Sequence, residues 1–118
     1  MKTTAKDFAL FKQECQKWVE FWGMDRFHCF YKHIPLKGCF AQAAVDYVAG
    51  HVSFKFPTSM DKQHYTDNEI KDSAYHEVTE IFLRDVIIEN IKNPQLDGEY
   101  IEYKVHALVN ILRNKVKP

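Results

Sequence analysis

The sequence predicts an α+β domain: a small antiparallel three-stranded sheet packed with three helices, in the order α-β-β-β-α-α. Three observations predict it. Apolar residues recur at three- and four-residue steps over 5–22, the period of one helix face. From about residue 27 to residue 56 the chain turns aromatic-rich and alternating, the period of a half-buried strand. Helical spacing returns after Thr66, to about residue 91 and again over roughly 98–115.

In the first segment Phe8, Phe11, Cys15, Trp18 and Trp22 make one apolar stripe, and Gly23 ends the helix. Phe27 to Ile34 suits a strand, Pro35 to Gly38 a turn, and Phe40 to Val48 a second strand. Ala49-Gly50 is a hairpin turn. His51 to Phe56 alternates, with Val52, Phe54 and Phe56 on one face and His51, Ser53 and Lys55 on the other, and Pro57 stops this third strand. A polar loop covers 57–65. Thr66-Asp67-Asn68-Glu69 then has the Thr-x-x-Glu form of a capping box, so a helix starts near Asp67. It runs to about Ile91, close to the Asn93-Pro94 break. Leu96-Asp97-Gly98 precedes a last helix over roughly 98–115, whose apolar stripe is Ile101, Val105, Leu108, Leu112 and Val116.

The 118 residues fit one domain, 1–118, and a 46% hydrophobic share with 14% aromatics is enough to build a core. Lys plus Arg equals Asp plus Glu at 16 each. That balance argues against nucleic acid or an anionic membrane as partner, since both favour a basic excess. No apolar run approaches the ~20 residues of a membrane span. The N-terminus is polar, with no signal-type apolar stretch behind it, so a cytoplasmic protein is expected. Cys15, Cys29 and Cys39 form no Cys-x-x-Cys pair and read as buried free thiols.

The chemistry-bearing stretch is His76-Glu77-Val78-Thr79-Glu80. Ligands four residues apart leave the same helix face in adjacent turns, and His76 and Glu80 have that spacing. Leu83 and Ile87 continue the stripe as apolar residues, so the pair is expected to be partly enclosed. Glu77 lies ~100° round the helix from His76, an offset that suits a general base reaching a water without ligating the metal. Catalytic zinc takes three protein ligands, and the third candidate is His106, on the shoulder of the last helix with Glu102 one turn before it. Glu102 is a spare ligand or a partner that orients a histidine. The alternative for the stretch is a helix with a partly exposed histidine and ordinary surface acids, and for Glu102–His106 a solvated pair. His28 and His33 point to opposite faces of one strand, His51 heads a strand and His64 lies in a loop, so none of them joins the set. Tyr75 is expected in the core.

The segment Ser73-Ala74-Tyr75-His76-Glu77-Val78-Thr79-Glu80-Ile81-Phe82-Leu83 resembles the active-site helix of small phage-encoded metallopeptidases of the minimal zincin type. Glu102 to Leu112 is similar to their final helix, which carries a histidine before an amphipathic end. The opening Phe8 to Trp22 helix and the aromatic strand after it fit the same pattern. The resemblance implies a zincin-like core with an edge strand able to hold an extended peptide. It implies zinc or another divalent metal on His76 and His106, with Glu77 as general base and Glu80 in place of the usual second histidine.

Three function classes follow. The first is a metal-dependent, peptidase-like hydrolase acting on a peptide or protein. The second is a non-catalytic, phage-type interaction module on a zincin-like scaffold. The third is a structural component whose histidines and carboxylates are incidental.

Overall fold

Thr4 opens the chain's first helix with a reciprocal cap: its hydroxyl accepts from the Asp7 backbone N–H at 3.1 Å while its own N–H donates to the Asp7 carboxylate at 2.8 Å. That arrangement satisfies two donors the helix itself cannot. The computed structural model describes residues 1–90 and 98–116. Its elements are α1 (Ala5–Phe21), β1 (His28–Ile34), β2 (Gln42–Asp46), β3 (His51–Pro57), α2 (Asp67–Asn90) and α3 (Gly98–Val116), with short 3-10 turns at Lys37–Cys39 and Lys62–His64. The expected order α-β-β-β-α-α is the order found, and the architecture is α+β. The Thr66 cap holds as well, its hydroxyl accepting from the Glu69 N–H at 3.2 Å. The Asn93-Pro94 break lies outside the described residues.

The sheet departs from expectation. It is mixed, not antiparallel: its order is β1-β3-β2, with β3 parallel to β1 and antiparallel to β2. Residues 35–41 carry the chain past one strand position before β2 begins, and the β2–β3 turn then inserts β3 into the gap. The strand with the cleanest alternation takes the centre, and its Val52, Phe54 and Phe56 are fully buried. β3 ends at Pro57, as expected. The proline lies opposite Ile34, a strand-end position where a missing N–H is tolerated. The turn into β3 depends on Gly50, whose φ is 73°, a value that a residue with a Cβ adopts at a cost.

One sheet face is covered by helices. Phe11 of α1 packs on Phe56 with ring centroids 5.0 Å apart, and Trp18 meets Tyr75 of α2 edge-on at 4.9 Å. Ile70, Ala74, Tyr75, Val78 and Ile81 form the buried face of α2. Thr79 is a buried polar residue on that helix, and its hydroxyl accepts from the Trp22 indole N–H at 3.0 Å. Against this face lies α3, with Val105 and Val109 fully buried and the Tyr75 hydroxyl donating to the Val109 carbonyl at 3.2 Å. The expected α3 stripe therefore shifts: Val109 takes the seam, while Leu108 is 38% exposed. Both residues are apolar, so helical period alone does not choose between them. The Ile87, Ile101 and Val116 side chains lie outside the described residues. No helix among the described residues is long and apolar enough to cross a membrane. Cys15 is a buried free thiol and Cys29 a half-buried one.

Candidate metal centre

Burying Tyr75 and Val78 turns the opposite shoulder of α2, which carries His76, Glu77 and Glu80, toward β2 and α3. The enclosure expected from Leu83 is present: Leu83 is buried, and the His76 and Glu80 side chains are 26% and 16% exposed. Nε2 of His76 lies 3.2 Å from Oε2 of Glu80. From α3, Nε2 of His106 lies 3.7 Å from Oε1 of Glu80 and 3.4 Å from Oε1 of Glu102. The two imidazole rings are 5.4 Å apart, inclined by 31°. Ligating atoms of His76, Glu80 and His106 all lie within 4.8 Å of one another. Donors of a tetrahedral zinc at ~2.1 Å are spaced ~3.4 Å apart, and the His76–Glu80 and His106–Glu80 separations of 3.2 and 3.7 Å lie close to that spacing. Two imidazoles and a carboxylate are an acceptable donor set for zinc and for several other divalent ions.

Sequence reading missed Arg84. One turn beyond Glu80, its Nε and terminal nitrogen donate to Oε1 of Glu80 at 3.2 and 2.8 Å, and the same guanidinium pairs with Glu102 of α3. The signal was present as the Glu80-x-x-x-Arg84 spacing of a helix ion pair. Its second partner is a tertiary contact with no local signature. Glu102 thus contacts both Arg84 and His106.

Burial and charge set the acids apart. Glu80 would be raised by burial, but hydrogen bonds from His76 and Arg84, with His106 nearby, hold its carboxyl at about 2. Among the described residues no such donor reaches Glu77. Burial first, and the Glu80 charge second, push it up to about 7. The Glu80 hydrogen bond raises His76 despite the opposing effect of burial. Adjacent carboxyls driven in opposite directions give one permanent anion and one proton acceptor near neutral pH.

Glu77 also separates two hollows along α2. One, of ≈ 380 Å³, is lined by Phe40, Ala41, Glu69, Asp72, Ser73, His76, Glu77 and Arg113. The other, of ≈ 350 Å³, is lined by Ala43, Val45 and Tyr47 at β2 and by Glu77, Glu80, Ile81, Arg84 and Glu102. β2 is an edge strand, so one of its edges is paired by no described strand, and its Ala43 and Val45 line the second hollow together with Glu77 and Glu80. The remaining histidines stay away. His33 stacks on Phe8 at 5.1 Å, His28 meets His51 edge-on at 5.9 Å, and His64 contacts Phe40 at 5.6 Å.

No family model matches the chain, and neither a curated protein nor a solved structure matches it.

Proposed function

We propose that this protein is a metal-dependent hydrolase of zincin-like design, acting on peptide bonds. The reading rests on one observation: ligating atoms of His76, Glu80 and His106, from two helices, lie within 4.8 Å of one another. Glu77 stands next to His76 with its carboxyl at about 7. A divalent ion on these residues supplies Lewis acidity to a carbonyl and to water. Glu77 accepts a proton from the attacking water at a carboxylate oxygen and delivers it to the leaving amine. The open edge of β2 offers main-chain hydrogen bonds to an extended peptide. The absence of a membrane-crossing helix among the described residues fits a cytoplasmic setting.

Elemental analysis of the purified protein should find about one equivalent of divalent metal. His76→Ala should remove it, and Glu77→Gln should keep the metal while abolishing peptide turnover. A metal-free protein whose melting curve ignores both zinc and chelator overturns the reading.

A second reading is a non-catalytic interaction module on the same scaffold. It is favoured by Arg84, which already neutralises Glu80. Here a partner strand adds to β2. Glu77→Gln then leaves partner affinity intact, and a proline in β2 destroys it.

A further inference from the structure

Arg84 touches two helices at once. Two of its nitrogens hold one oxygen of Glu80, at 3.2 and 2.8 Å, and leave Oε2 facing His76. A terminal nitrogen of the same guanidinium pairs with Glu102. Glu102 lies one turn before His106 on α3, and its Oε1 is 3.4 Å from the His106 ring nitrogen. A guanidinium presents a planar fork of fixed geometry that one ammonium does not reproduce. The two carboxylates are therefore set relative to each other, and with them the helix that carries His106.

Among the described residues, α3 is also attached on another flank, through Val105, Val109, Leu112, the Tyr75 hydroxyl and Arg113 over the Tyr75 ring. Those contacts fix the helix against α2, while the rotation of α3 about its seam decides whether His106 faces Glu80 or solvent. The His106 side chain is 41% exposed and the Glu102 side chain 49%, so apolar packing does not hold either in place.

We propose that Arg84 is the positioning residue of this centre, a clasp that divides the two oxygens of Glu80 and, through Glu102, turns His106 inward as the third ligand. The ligand role rests on the metal-centre reading above. The clasp itself does not need the ion.

The test uses cobalt(II) as a spectroscopic probe on the full chain, alongside amide hydrogen exchange of the metal-free protein. Arg84→Met and Glu102→Gln should each weaken cobalt binding about 10–100-fold, the usual effect of losing a partner that orients a ligand. Both should shift the visible spectrum to that of His106→Ala. Adding Arg84→Met to His106→Ala should weaken binding no further, because the two act on one ligand. Arg84→Lys should recover part of the affinity. In the metal-free protein, Arg84→Met and Glu102→Gln should speed exchange across α3. Unchanged spectrum, affinity and α3 exchange in Arg84→Met overturn the clasp while leaving the metal centre standing. Tighter cobalt binding in Arg84→Met overturns it too, since Arg84 would then be a competing cation. If wild-type protein takes up no cobalt but both variants speed α3 exchange, the clasp stands and the metal-centre reading falls. Glu102 is exposed, so Glu102→Gln tests the clasp even where Arg84→Met does not fold.

Discussion

Nε2 of His76 sits 3.2 Å from Oε2 of Glu80, one turn further along α2. The contact ties proton and charge to the same two atoms. His76 is raised above its ordinary 6.5, chiefly by the Glu80 hydrogen bond. A raised histidine stabilises fully below 6.5, and that contribution is lost as pH rises through its folded value. Glu80 is lowered from 4.5 to about 2, so its contribution is present above 4.5 and lost as pH falls through about 2. The pair stabilises most between these ordinary values. Urea titrations should show the largest gap between wild type and His76→Ala near pH ~5.5, shrinking by pH ~8.5. Metal uptake needs the His76 proton gone, so calorimetry in buffers of different ionisation enthalpy should register proton release with binding. A gap that keeps growing above neutral pH contradicts this account.

Much of the site was legible because helix geometry is local. Four-residue spacing put His76 with Glu80 and Glu102 with His106, and Leu83 foretold their enclosure. The pairing of β1 with β3 was not legible. Alternation tells which side chains of β3 face the core but not which strand lies beside it. Nor did the sequence rank Leu108 against Val109, since either completes an α3 seam. Arg84 was visible as half of a helix pair, and its bond to Glu102 emerged only once α3 folded back on α2.

Thr79 is fully buried and accepts the Trp22 indole N–H at 3.0 Å. Thr79→Val keeps the branched shape and removes the acceptor, leaving a partly buried N–H without a partner. Such a loss costs about 1–3 kcal/mol. Thr79→Ser keeps the acceptor and should lose less. Chemical denaturation followed by tryptophan fluorescence measures both, and a neutral Thr79→Val would show that the indole finds another acceptor at no cost.

Gly50 ends the turn between β2 and β3 at φ 73°, and a Cβ there would stand 3.2 Å from the Arg26 carbonyl oxygen. Two penalties therefore act on Gly50→Ala. The left-handed backbone costs roughly 1–2 kcal/mol for a residue with a Cβ, and the close approach forces a small shift of the strand that begins at His28, whose N–H donates to the Gly50 carbonyl at 2.8 Å. The unfolding free energy from denaturant titration should fall by an amount on the order of 1–2 kcal/mol. Amide exchange should speed first at the His28 and His51 ends of β1 and β3. Uniform acceleration across the protein would instead mean that the turn is not a local weak point.

Glu77 separates a catalytic acid–base group from a structural one. Burial, with the Glu80 charge second, raises its carboxyl from 4.5 to about 7. A raised carboxyl is stabilising in its protonated form, so in the metal-free protein its contribution is complete below 4.5 and lost as pH climbs through about 7. Glu77→Gln removes that loss. The variant should match wild type near pH ~4 and exceed it by on the order of 2 kcal/mol near pH ~8.5, allowing for partial exposure. A bound cation should lower the Glu77 pKa and narrow the gap. The same substitution should reduce peptide turnover by at least about 100-fold, since a positioned general base contributes that much or more. Stability gained and activity lost at one residue is the pattern of a site strained for function. Thermal melts of wild type and Glu77→Gln across pH, with and without zinc, read out the first part. A variant less stable than wild type at alkaline pH would mean that the Glu77 carboxylate is held by partners that stabilise its charge, and the general-base assignment would lose its physical ground.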